Sequence, residues 1–186
     1  MEKMKKIVCL LLALCMVFLL ASCDSGSSDK DDKDRTVDPY PSITVDPYLP
    51  EEFAGFTQVA LYKSDLDIDT DEIEGVEYVT KDLTCIYLFD DSSFVSTSTE
   101  IYINKSTGVK DDTLTEKEPL IKGTYTLTGD KANGTLHMNE THEWDDDHDP
   151  GHWEPAGEPE IYNTTIKGGV FTLTEGIETI RFTLSN

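Results

Sequence analysis

Residues 83–103 read LTCIYLFDDSSFVSTSTEIYI. Leu83 to Phe89 is a short run with apolar side chains on both faces, the pattern of a strand buried on both sides. Asp90-Asp91-Ser92 supplies turn chemistry. Phe94 to Ile103 is rich in β-branched and aromatic residues, which suit a pleated, half-buried surface. Two strands joined by so short a turn run antiparallel.

The same alternation of strand and turn runs outward from this hairpin. Upstream, FTQVALYK (56–63) alternates imperfectly. Downstream, KGTYTLTG (122–129) puts Tyr125 and Leu127 on one face and Thr124, Thr126 and Thr128 on the other. Gly129-Asp130 and Asn133-Gly134 mark turns. GTLHMNETHEW (134–144) has strand propensity, and EIYNTTIK (160–167) leads into Gly168-Gly169, a two-residue hairpin turn. VFTLT (170–174), a Glu175-Gly176 turn and IETIRFTL (177–184) close the chain. DTDEIEGVEYV (69–79) is read as one short helical turn at most. The predicted fold is therefore all-β: an antiparallel meander of about eight strands, closed as an up-and-down barrel or, alternatively, folded as a β-sandwich. The folded part, 53–186, supports one core.

The run GTYTLTGDKANGTLHM … GVFTLTEGIETIRFTL resembles small lipocalin-like domains of bacterial lipoproteins. The residues that carry the likeness are Gly123, Tyr125, Leu127 and Gly129, then Leu173, Thr174 and Gly176. The resemblance implies an up-and-down barrel with a cavity for a small apolar ligand. The acidic insertion between the strands at 137 and 161 departs from that compact pattern. Gly55-Phe56 stands nearest to where classical lipocalins carry glycine and tryptophan.

The N-terminus supplies an address. Lys3, Lys5 and Lys6 precede an apolar run from Ile7 to Leu20, which is short for a bilayer span and ends in Leu20-Ala21-Ser22-Cys23. That tetrapeptide resembles the lipobox of bacterial lipoproteins. It implies cleavage before Cys23, lipidation of Cys23, and a membrane partner in a bacterial cell envelope, on the extracytoplasmic side. Acyl chains numbering two or more hold a protein on a bilayer without a transmembrane helix. Residues 1–22 are thus read as a lipoprotein signal peptide. Residues 23–52 are read as a disordered, acidic and proline-rich tether, with TVDPY at 36–40 repeated at 44–48.

Removing residues 1–22, whose net charge is +2, takes the chain from −22 to −24. So acidic a protein repels nucleic acid and attracts cationic partners or divalent ions. With the signal gone and Cys23 lipidated, Cys85 is the one thiol left, so no intrachain disulfide forms. Its apolar surroundings make it inert.

All four histidines and both tryptophans lie between 137 and 153, in and around NETHEWDDDHDPGHWEP (139–155). A hairpin there sets Trp144 against Trp153 and brings His142 towards His152, with His148 and the aspartates at the tip. Imidazole with carboxylate suits zinc, and His142, His148, His152 and Asp146 are the candidate ligands. DLDIDTDEIEG (65–75) resembles a calcium loop, but Thr70 and Val76 stand where the glycine and the glutamate belong. It leaves only an open oxygen-ligand site for calcium, or an amphipathic strand with its aspartates on one face. No nucleophile elbow, triad or phosphate loop is present, so no enzyme activity is expected. The expected function is a lipid-anchored binding module for a small apolar ligand or a partner protein. The alternatives are a zinc-binding lipoprotein and a structural surface protein.

Overall fold

The computed structural model describes residues 38–146, 151–158, 160–175 and 178–185. The expectations placed on the signal peptide, on Cys23 and on His148 lie outside them. Among the described residues there are ten strands, one 3-10 turn (Glu51–Phe53) and no α-helix. The strands are β1 (Gln58–Ser64), β2 (Asp67–Ile73), β3 (Val76–Phe89), β4 (Ser93–Asn104), β5 (Val109–Gly129), β6 (Gly134–Asp145), β7 (His152–Pro155), β8 (Ile161–Ile166), β9 (Val170–Glu175) and β10 (Glu178–Leu184).

All pairings are antiparallel, as expected for a meander. The sheet runs β7-β6-β5-β4-β3-β1-β10-β9, with β2 added on β3 and β8 on β6. β8 and β9 are joined by Gly168-Gly169 and the Lys167–Val170 bridge that closes this turn, but no strand ladder pairs them; across the seam Thr164 Oγ1 donates to the Thr172 carbonyl at 3.0 Å. The ladder therefore stays open along this seam. A shallow cleft lies there, lined by Ile161, Tyr162, Asn163, Thr172, Leu173 and Thr174.

One face of the sheet wraps a core. Ala60, Tyr62, Ile86, Leu88, Phe94, Leu136, Met138, Ile166, Phe171 and Phe182 form one buried cluster, with Tyr125 and Leu127 against it. These residues come from β1, β3, β4, β5, β6, β8, β9 and β10, so eight strands share the interior. Aromatic rings occupy it: Tyr62 meets Phe171 edge-on at 4.9 Å, and Phe171 stacks on Phe182 at 5.2 Å. Gly123 sits where a Cβ would lie 2.0 Å from the Asn139 carbonyl oxygen and 2.9 Å from the Phe94 ring. The register of β5 on β6 shifts next to it.

The opposite face of β3 and β4 carries the second core. Val79, Leu83, Cys85, Tyr87, Phe89, Val95, Ile101 and Ile103 are buried there beneath Val45 and Phe53, with Tyr40, Ile43 and Leu49 alongside. The expected spacer is therefore corrected over 38–52: this stretch is a strap lying along the sheet, and the packed unit begins at Asp38. The cause is a cation. Lys81 has no exposed side-chain surface, and its ammonium donates to Asp38 Oδ2 (2.8 Å), the Tyr40 carbonyl (2.6 Å) and the Ile43 carbonyl (2.8 Å). Three acceptors satisfy all three of its protons. Thr97 Oγ1 donates to the Tyr48 carbonyl at 2.9 Å, and Phe53 stacks on Phe89 at 5.6 Å. The two DPY copies do different work: the first gives Lys81 a carboxylate, the second gives Thr97 a carbonyl.

A second correction concerns 69–79. This stretch is the β2–β3 hairpin, turning at Glu74-Gly75 with φ of 53° and 81°. Two positive φ values match the tight turns that follow strand twist, so the backbone goes on as sheet instead of coiling. β5 also begins 13 residues before Lys122. Pro119, which cannot donate to a ladder, sits beside the register shift opposite Ser96 and Thr97.

Candidate functional site

β3, β4, β5 and β6 outrun the strands that complete the wrapped core, and β2 and β7 flank their far ends. Register places residues of like face across these six strands. Asp67 pairs Asp82, Asp82 pairs Glu100, Glu100 pairs Glu116, and Ser98 pairs Glu118. Past the shift on β5, Ile121 pairs Glu143, Glu143 pairs Glu154 and Asp145 pairs His152. This is the face that carries Ile86, Leu88 and Phe94 farther along the same strands. One continuous surface is thus apolar and wrapped at one end, and lined with carboxylates at the other.

The aspartates of 65–75 fit this picture. Asp67, Asp69 and Asp71 lie on one face of β2 and Ile68 packs on the other side, against the strap-side core. They lie on a paired strand with its aspartates on one face, the amphipathic-strand alternative read from the sequence.

The clustering perturbs the central carboxyls. Burial pushes Asp82 up; the 2.6 Å hydrogen bond from Ser98 Oγ opposes it, and Asp67 adds repulsion. Burial also pushes Glu100 up, against the 3.0 Å hydrogen bond donated by the Tyr102 hydroxyl, with Asp82, Glu116 and Asp71 adding repulsion. Glu118 is raised by burial, then by Asp146, Glu116, Asp82 and Glu100. The three groups ionise reluctantly because like charges surround them in partly dehydrated positions.

The β6–β7 hairpin forms one end of this face. Trp144 pairs Trp153 in register, and their rings meet edge-on at 5.2 Å, as expected. Gly151 lies against Trp144, where a Cβ would sit 2.6 Å from the ring. Trp153 faces the strap side. Its Nε1 donates to Glu52 Oε1, and Lys122 Nζ lies 4.3 Å above its ring. Burial holds Lys122 below the usual lysine range, and Glu52 partly offsets this.

Of the candidate ligands among the described residues, His142 and His152 do not converge. His142 pairs Pro155, while His152 pairs Asp145. Three residues of register put the two imidazoles on opposite faces. His142 Nδ1 lies 3.0 Å from Thr141 Oγ1, and His137 contacts Asn163 on the outer surface. Asp146 is exposed just beyond β6, and its charge acts on Glu118. The side chains that do come together are Asp145, His152 and Glu154, each with a ligand atom within 4.8 Å of the others. Among the candidates named from the sequence, Asp146 stands in place of Asp145 and Glu154 is left out; the signal that could have found both is their place beside the paired tryptophans, Asp145 after Trp144 and Glu154 after Trp153. Lys81, Asp82, Glu100 and Glu118 carried no local signal, because strand register alone defines their surroundings.

Cys85 is buried and free, and burial pushes its thiol up to about 11, which disfavours the thiolate at neutral pH. No protein family, curated protein or solved structure matches the chain.

Proposed function

We propose that this protein is a lipid-anchored, non-enzymatic binding module of a bacterial cell envelope, and that its acid face docks a partner protein through a lysine- or arginine-rich segment. The supporting observation is the strained set Asp82, Glu100 and Glu118. Each has a raised carboxyl in a surface crowded with like charge, a state that an incoming cation relieves. Six strands at about 4.8 Å spacing give the row a width of about 24 Å, more than one small cation fills and suited to a segment with several spaced charges. The wrapped interior argues against an apolar small ligand, since Tyr62, Phe94, Phe171 and Phe182 fill it and each is at most 2 % exposed.

The test uses the full chain in detergent with poly-L-lysine as the probe. The expected result is binding that weakens steeply as salt rises past about 0.1 M, where the screening length is about 10 Å. A triple variant, Asp82→Asn with Glu100→Gln and Glu118→Gln, should bind at least about tenfold more weakly, a loss of about 1.4 kcal/mol. A control triple, Asp46→Asn with Asp90→Asn and Asp130→Asn, removes the same charge elsewhere. Equal losses in the two triples would reduce the face to a share of the protein's general negative charge.

A further inference from the structure

The acid face ends in a cluster whose chemistry differs from the rest. Asp145 and His152 are direct cross-strand partners, and Glu154 follows two residues later on the same face of β7. Asp145 is 8 % exposed, whereas the side chains of His152 and Glu154 are about half exposed. One carboxylate thus lies beneath an imidazole and a second carboxylate at the rim. His152 Nε2 lies 3.2 Å from Glu154 Oε1.

We infer that Asp145, His152 and Glu154 form a binding site for a divalent transition ion of the zinc type. Ligand atoms around a tetrahedral zinc at about 2.1 Å stand about 3.4 Å apart. The His152–Glu154 spacing of 3.2 Å already fits, and the ligand atoms of all three residues lie within 4.8 Å of one another. One nitrogen and two carboxylate oxygens suit zinc, cobalt or nickel better than calcium, which takes six to eight oxygens. Both strands are paired ladder, so the three Cα positions are fixed by backbone hydrogen bonds and not by a loop. Three protein ligands on an open rim leave a coordination position for water or for a side chain of a bound partner.

The site is independent of the acid-face reading. It uses neither Asp82, Glu100 nor Glu118, and it predicts metal binding whether or not poly-lysine binds. It also comes with its own reporter. Trp144 precedes Asp145, and Trp153 lies between His152 and Glu154, so drawing the three ligands together shifts the edge-on indole pair.

The experiment is titration of the full chain, stripped with chelator, with zinc chloride alone. Tryptophan fluorescence and calorimetry are followed, and the melting temperature is read with and without zinc. The expected result is micromolar or tighter binding, a changed indole signal and a higher melting temperature. His152→Ala and Glu154→Gln should each weaken binding at least tenfold, and His142→Ala should leave it unchanged. Both weakened variants alter half-exposed rim residues, and their metal-free melting temperatures report that they fold. The inference is overturned if zinc produces no response in the parent protein, or if His152→Ala binds as tightly as the parent. It is also overturned if His142→Ala loses as much as His152→Ala, or if calcium binds as tightly as zinc.

Discussion

Lys81 is a charged group without exposed surface, and its environment decides what its loss costs. Asp38 is its only carboxylate partner among the described residues. Burial pushes the Asp38 carboxyl up, but hydrogen bonds from Lys81 and the Tyr40 amide, with the lysine's charge, hold it below its ordinary value. Asp38→Asn leaves the ammonium buried with neutral acceptors alone, and is expected to cost about 3 kcal/mol in chemical denaturation. Lys81→Met removes the charge and keeps the volume, while the partly exposed Asp38 can turn to water. It is expected to cost less than Asp38→Asn, and the reverse order would mean that the pair is not the strap's fastening. Because Asp38 is lowered, its contribution is complete above about pH 4 and is lost as the pH falls further. Gly123 is constrained by space instead of charge. A methyl group there meets a backbone carbonyl, so Gly123→Ala is expected to cost about 3 kcal/mol and lower the denaturation midpoint without changing its slope.

At the scale of elements, the 83–103 hairpin was legible because its own residues reach both cores. Ile86 and Leu88 face the wrapped interior, and Cys85, Tyr87 and Phe89 face the strap. What covers the second face was not legible. The prolines of 39–50 are equally at home in a free extended spacer and in an extended strap, and the choice is made by Lys81, more than 30 residues away. The strand alternation of β2 was legible, but the turn that pairs it with β3 was hidden because a glutamate holds the first turn position. Glu74 carries a left-handed φ of 53°, which costs an ordinary side chain about 1 kcal/mol and asparagine less. Glu74→Asn is therefore expected to stabilise the protein by up to about 1 kcal/mol, seen as a higher melting temperature; an unchanged or lower one would show that the turn is relaxed as it stands. The histidine cluster was legible in composition but not in partnership, because a strand register of three residues separates what the sequence sets side by side. β2, at the sheet's edge, offers alternating aspartates, a charged margin that discourages pairing with a second sheet.

For the whole molecule, the acid face and the strap respond to pH in opposite senses. Asp82, Glu100 and Glu118 have raised carboxyls, so the folded state holds their protons more tightly than the unfolded chain does. Their contribution is largest in acid and is lost as the pH rises through the raised values. The protein is therefore expected to be more stable at about pH 5 than at about pH 7 in urea denaturation, with a smaller difference in the Asp82→Asn, Glu100→Gln, Glu118→Gln variant. An equal difference in both proteins would move the pH dependence away from this face. The strap has a mechanical consequence as well. If Cys23 carries the anchor, the 15 residues from Asp24 to Asp38 span at most about 50 Å when fully drawn out, which limits how far the sheet can stand from the bilayer. Any pull from the membrane then reaches the fold first at the Asp38–Lys81 contact. The strap would then peel from that end, one attachment at a time, before tension passed along the chain into β1, and would act as a fuse between such an anchor and the sheet.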